Sequence, residues 1–154
     1  MRNIIAHISL LIVLVFSSSA CKENDPYSGV CFIPDAIVNE VINMDLPEYF
    51  KLQNLGEHIY LTSGNRGILL VHFYDDLFYA VERTCPYESD QSCAQVSVDS
   101  LNLQLKCGSH TDTGFVECCG SVYQLNGLLL EGPSQCSLKN YQVNLQGNTL
   151  FVNN

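Results

Sequence analysis

From residue 38 to residue 152 the chain is built of short apolar runs and period-two alternations, and helical periodicity holds over no convincing length. Successive side chains of a strand point to opposite faces, so this rhythm predicts strands, and glycine-marked turns between them predict antiparallel pairing. Residues 38–44 read as an early strand and 46–49 as a turn. Residues 59–62, 68–74 and 77–83 follow as strands. Ser63-Gly64-Asn65-Arg66-Gly67 marks one turn, and Asp75-Asp76 joins 68–74 to 77–83 in a tight hairpin. Further on, 113–118, 121–125 and 128–130 are short strands separated by Gly120 and Gly127. Residues 141–145 and 149–152 form a closing hairpin around Gln146-Gly147-Asn148. The expected fold class is all-β, an antiparallel sandwich or barrel.

A further hairpin is expected from 93–98 and 102–107. If residues 99–101 form its loop, Val98 lies opposite Asn102 and Cys93 falls opposite Cys107. Directly opposed strand residues bring their Cβ atoms close enough for a disulfide, so register makes Cys93–Cys107 the preferred pair. One residue of slip would abolish it.

The start of the chain reads as a secretion signal. Arg2 is followed by a mostly apolar run over 4–16, then by small residues up to Ala20 and by Cys21. The run is too short for a permanent membrane span, so removal of residues 1–20 is expected. The small residues before Cys21 resemble a bacterial lipoprotein cleavage site, with Cys21 as the lipidated first residue of the mature chain. Ser18 departs from the aliphatic residue of such sites, which keeps a plain signal peptide as the alternative. Residues 21–30 read as a tether. Within it, Lys22-Glu23-Asn24-Asp25 resembles the acidic export tag of some surface lipoproteins, or serves simply as solvated chain.

Removal leaves 134 residues, enough for one domain with a core, and six basic residues against sixteen acidic ones, a balance of −10. A surface so negative repels phosphate backbones and argues against nucleic-acid binding. Seven cysteines follow Cys21: Cys31, Cys85, Cys93, Cys107, Cys118, Cys119 and Cys136. In an exported chain disulfides are the default, and an odd number leaves at least one thiol over.

Two segments carry chemistry. The first is Thr84-Cys85-Pro86-Tyr87. The second is Val116-Glu117-Cys118-Cys119-Gly120-Ser121-Val122-Tyr123, followed by Gly127, Gly132-Pro133, Leu138 and Tyr141. Their order resembles the Rieske iron–sulfur family. There, Cys-x-His and Cys-x-x-His loops precede a Gly-Ser segment, a covering Gly-Pro loop and Leu-x-x-Tyr entering a strand. The upstream part, through Gly67-Ile68-Leu69 to residues 80–87, looks like small Rieske-like bacterial lipoproteins. The resemblance spans nearly all of residues 31–154 and implies a Rieske-like antiparallel sandwich. Residues 31–84 and 135–154 would form the larger sandwich, and 85–134 a small inserted, formerly cluster-binding subdomain.

By that resemblance Cys85 stands at the first cysteine position and Tyr87 at the first histidine. Val116 stands at the second cysteine position and Cys119 at the second histidine. A Rieske cluster needs two thiolates on one iron and two imidazoles on the other. Only Cys85 keeps its identity, Cys119 offers a thiolate for an imidazole, and Val116 offers no donor. The expectation is therefore no cofactor, with [2Fe–2S] implied only if the family chemistry survives these losses. Three readings of the cysteines follow. Oxidised pairs would staple the former loops, with Cys85–Cys119 bonded in place of the cluster. Cys118 matches the family cysteine that links the two loops in some members, with Cys93 its partner if Cys93–Cys107 fails. Alternatively, thiolates drawn from Cys85, Cys93, Cys107, Cys118 or Cys119 would form an altered metal site, four of them suiting zinc or iron–sulfur. Thiol redox chemistry ranks last for want of a Cys-x-x-Cys motif.

His58 and His72 fall in scaffold strands, while His110 is expected in a loop near the altered segments, at no ligand spacing, with a substitute ligand as the alternative reading. Catalytic Ser-His-Asp order, paired carboxylates and phosphate loops are lacking, and a Rieske oxygenase needs a second domain for its mononuclear iron. The expected protein is a non-enzymatic, lipid-anchored lipoprotein of the bacterial cell envelope, outer-membrane or periplasmic. It would be held to the membrane through Cys21 and act by binding or structural association with a protein partner. The alternative is a [2Fe–2S] electron carrier with altered ligands.

Overall fold

The computed structural model describes Cys31 and residues 33–154. The expected signal segment, Cys21 and the 21–30 tether lie outside the described residues. In chain order the strands are β1 (Asn39–Asn43), β2 (His58–Leu61), β3 (Ile68–Tyr74), β4 (Leu77–Glu82), β5 (Val96–Asp99), β6 (Gln104–Thr111), β7 (Gly114–Gln124), β8 (Leu129–Glu131), β9 (Asn140–Gln146) and β10 (Thr149–Asn153). A single turn of 3-10 helix, Phe50–Gln53, buries Leu52. The strands form a six-stranded sheet in the order β1-β10-β9-β4-β3-β2 and a four-stranded sheet in the order β5-β6-β7-β8. All the described pairings are antiparallel.

The continuous run Ile68-Leu69-Leu70-Val71 in β3 has a physical cause. Ile68 and Leu70 enter a core with Ile42, Leu52, Ala80, Leu150 and Val152. Leu69 and Val71 face the other way, into a second core with Val81, Val96, Leu105 and Tyr123. A strand buried on both faces loses polar alternation and reads as apolar throughout. That second core joins the two sheets, and it holds the candidate site. The 68–74/77–83 hairpin turns through Asp75-Asp76 with Tyr74 opposite Leu77. Asp75 takes the left-handed conformation at φ +44, which aspartate tolerates better than most residues.

Glu82 ends β4 with no exposed surface. Its carboxylate accepts the backbone N–H groups of Asn65 (2.8 Å), Arg66 (3.0 Å) and Thr84 (3.0 Å). It also accepts the hydroxyls of Thr84 (2.8 Å) and Tyr141 (2.8 Å). One buried charge thus ties the 63–67 turn, the segment after β4 and strand β9 together.

The register expected for residues 93–107 is wrong by three residues. Asp99 pairs with Gln104 and Val96 with Cys107, so the loop is 100–103 rather than 99–101. The cause is Asp99, whose carboxylate accepts Leu101 N–H (3.0 Å) and Asn102 Nδ2 (2.9 Å) and pairs with Lys106 Nζ at 2.7 Å. This wraps a four-residue loop, closed by Leu103 at φ +51. The Cys93–Cys107 disulfide therefore does not form. Cys93 lies before β5 and bonds to Cys118, with Cα atoms 5.4 Å apart. Cys31 bonds to Cys136 across 6.1 Å, a pair that sequence patterning did not indicate. Cys85, Cys107 and Cys119 are free thiols, so the expected Cys85–Cys119 staple is not formed either. The breaks expected around Gly120 also disappear, because β7 runs unbroken from Gly114 to Gln124.

Candidate functional site

Three separate backbone devices bring three thiols together. Cys85 follows β4, and its segment is pinned to the stretch before β5 by the Thr84–Gln95 bridge and by Cys85 N–H donating to the Ala94 carbonyl at 3.1 Å. Cys107 lies in β6 opposite Val96. Cys119 comes from an irregularity in the β6–β7 ladder. Lys106 pairs with Val122 but Gly108 pairs with Glu117, so Cys107 alone faces the stretch 118–121. Surplus residues opposite one partner bend the strand and re-aim its side chains. Gly108 makes the bend possible at φ +144, where a Cβ would collide with the Val116 carbonyl. Cys118 and Cys119 consequently point apart, Cys118 to the disulfide with Cys93 and Cys119 to the thiols.

The three Sγ atoms all lie within 4.8 Å of one another. Cys85 Sγ is 3.7 Å from Cys119 Sγ and 3.7 Å from the Tyr123 hydroxyl. Cys119 Sγ donates to Ser121 Oγ at 3.3 Å, and Ser121 Oγ also accepts Ser134 N–H at 3.0 Å. Cys85 and Cys107 have no exposed surface, and Cys119 is half-buried.

The electrostatics favour one thiolate among donors. Hydrogen bonding from Cys107 is the largest influence on Cys85. Together with donation from Tyr123, Tyr87 N–H and Cys119, it outweighs burial and holds the Cys85 thiol below its ordinary range. Seen from the donor, the same bond and burial push Cys107 up. Burial is the main cause that raises Tyr123.

The Gly132-Pro133 loop lies directly on this stretch. Gly132 has φ +108, and a Cβ there would strike the Gly120 carbonyl and the Ser121 backbone. Gly132→Ala is accordingly expected to cost on the order of 2 kcal/mol and to expose Cys119. Thermal unfolding and the rate of Cys119 alkylation measure the two effects. An unchanged melting temperature and alkylation rate would contradict this packing.

Of the four positions matched to the Rieske pattern, the structure brings together Cys85 and Cys119. Tyr87 is half-buried against the second core and serves Cys85 through its backbone. Val116 is 52% exposed, paired with Ser109 on the outside of the sheet. The third member of the centre, Cys107, is placed by strand register in a disulfide with Cys93, and only the altered-metal reading includes it among the free thiolates. The signal that would have found it is Asp99, whose short polar side chain nucleates the longer loop. His110 lies in strand β6 rather than in a loop, with its ring against Phe115 and Nε2 3.1 Å from the Val98 carbonyl. His58 packs on Tyr60 and His72 stacks on Phe78. Among the described residues no imidazole joins the thiols. A Rieske cluster requires two imidazoles and two thiolates. Three thiols, with Val116 turned outward, do not fit it.

Fold and site together define an all-antiparallel β domain with a buried three-thiol centre between two sheets. No protein-family model matches the chain. No curated protein matches it either. Among solved structures it is similar to the plasma membrane Rieske protein PetC3 of the cyanobacterium Synechocystis PCC 6803, at 21% identity and a TM-score of 0.49, over 63% of this chain and 86% of that one.

Proposed function

We propose that the chain is an exported, lipid-anchored domain without a standard Rieske cluster, acting non-enzymatically by binding or structural association at the cell envelope. The observation that carries the proposal is the donor set. Among the described residues, the metal-ligating side chains that converge between the two matched loops are three thiols, Cys85, Cys107 and Cys119, with no imidazole beside them. Val116 stands outside with no donor atom. Two irons bridged by sulfide would be left short of protein ligands and open to water and loss. The leader pattern before Cys21 supports export and lipidation. The acidic surface supports a basic protein partner rather than a nucleic acid.

The test is anaerobic purification of the full chain, followed by iron and acid-labile sulfide analysis and electron paramagnetic resonance after reduction. The expected result is no stoichiometric iron or sulfide and no cluster signal. Two irons and two sulfides per chain, with a Rieske-type signal, would replace this reading with that of an electron carrier. Fractionation addresses the anchor. Cys21→Ala is expected to move the protein out of the membrane fraction, and a variant still membrane-bound would contradict lipidation at that residue.

A further inference from the structure

We propose that Cys85, Cys107 and Cys119 form a mononuclear three-thiolate site for a soft metal ion, Cu(I). This goes beyond the absence of a two-iron cluster and requires only the geometry of the three sulfurs. Three sulfurs around one ion at about 2.3 Å stand roughly 4.0 Å apart in trigonal geometry. Here one pair is 3.7 Å apart and all three fall within 4.8 Å. The site can therefore close on an ion with small side-chain rotations and no movement of the strands.

The donor chemistry selects the ion. All the donors are thiols, and thiolate is the ligand that favours Cu(I), zinc and iron–sulfur centres over hard cations. Among the described residues no histidine or carboxylate approaches to supply a fourth ligand. Zinc held by three thiolates would complete its tetrahedron with a water oxygen, whereas Cu(I) is satisfied by three soft ligands in a plane, as these thiols supply. The surroundings suit the negative charge of such a complex. The Tyr123 hydroxyl is 3.7 Å from Cys85 Sγ, Tyr87 N–H points to the same sulfur, and the Ser121 hydroxyl is 3.3 Å from Cys119 Sγ. Groups placed to hydrogen-bond the ligating atoms orient them and spread their charge.

The scaffold also preorganises the site. The Cys93–Cys118 disulfide fixes the residue next to Cys119, and the bend at Gly108 fixes Cys107. Half-buried Cys119, beside the Gly132-Pro133 loop, is the point of entry. Loading forms three Cu–S bonds and releases to solvent the protons that the thiols carry. The ion enters and remains as Cu(I), so no electron is transferred.

The experiment titrates the anaerobically purified full chain with Cu(I) against bathocuproine disulfonate, a coloured competing chelator. The wild type is expected to retain one copper per chain. X-ray absorption at the copper edge is expected to show three sulfur neighbours and no nitrogen or oxygen. Cys107→Ser and Cys119→Ser should each weaken retention by more than about 100-fold, beyond the loss of an outer-shell partner. Circular dichroism confirms that these variants fold, and the wild-type absorption spectrum stands without them. The proposal is overturned if the wild type surrenders all its copper, if nitrogen or oxygen ligands appear, or if a folded Cys107→Ser variant holds copper as tightly as the wild type. Iron in the protein as isolated would sink the cluster-free reading. Copper surrendered by an iron-free protein would sink only the copper site.

Discussion

Glu82→Ala is expected to destabilise the domain by about 4 kcal/mol, the largest effect of any single substitution considered. The side chain has no exposed surface and is the acceptor for three backbone N–H groups and two hydroxyls. Removing it leaves those donors unpaired in a dry site, each at a cost of roughly 1–3 kcal/mol before relaxation. Water entering from the 63–67 turn offsets part of that sum. Glu82→Gln keeps the volume but turns an amide N–H₂ toward donors, so a loss of about 3 kcal/mol is expected there too. Urea unfolding gives both values. A loss below about 1 kcal/mol would mean that the donors find other partners.

The same residue fixes the acid response. Burial alone would raise the Glu82 carboxyl, but the hydrogen bonds from Asn65, Arg66, Tyr141 and Thr84 more than offset it, and the folded value lies below the ordinary 4.5. A depressed carboxyl contributes stability above its unfolded value, and that contribution is lost as pH falls through the folded value. The wild type should therefore lose stability below about pH 4.5 with a slope approaching 1.4 kcal/mol per pH unit from this group. Glu82→Gln should flatten that limb. Parallel acid limbs in the two proteins would contradict the assignment.

The second large effect concerns the disulfides. Cys93–Cys118 closes a span of 25 residues and Cys31–Cys136 one of 105. Loop-closure entropy assigns them stabilisations of about 3.5 and 4.8 kcal/mol. Cys118→Ala and Cys93→Ala should each cost about 3 kcal/mol, and the double variant no more than either alone, because both remove one bond. Cys118→Ala should in addition loosen Cys119 and speed its alkylation. Additive losses in the double variant would show that the two cysteines act separately.

These effects mark what was legible in the sequence. The hairpin through Asp75-Asp76 could be read because its turn is two residues long and its flanking runs are unambiguous. The start of β3 could be read because burial of Ile68, Leu69, Leu70 and Val71 on both faces leaves no polar interruption there. The all-β class followed from such segments. Register in the 93–107 hairpin could not be read by counting, since it depends on Asp99 accepting two hydrogen bonds within its own loop. That misplacement ranked the centre second, because it preferred a bond between Cys107 and Cys93 over Cys107 as a free thiolate. The bend opposite Cys107 was hidden. Gly120 suggested a strand break, whereas the chain stays extended and slips its pairing instead. Glu82 left no pattern at all, since a single acid at a strand end reads as exposed. Its burial is evident only once the 63–67 turn and Tyr141 close over it.

The most direct measurement is mass-spectrometric mapping of disulfides and free thiols in the full chain, alkylated under native conditions and then after unfolding. The account predicts two linked peptide pairs, Cys31 with Cys136 and Cys93 with Cys118. It also predicts Cys85, Cys107 and Cys119 as thiols that become fully reactive only on unfolding. A Cys93–Cys107 or Cys85–Cys119 linkage would contradict it, because either would dismantle the three-thiol centre.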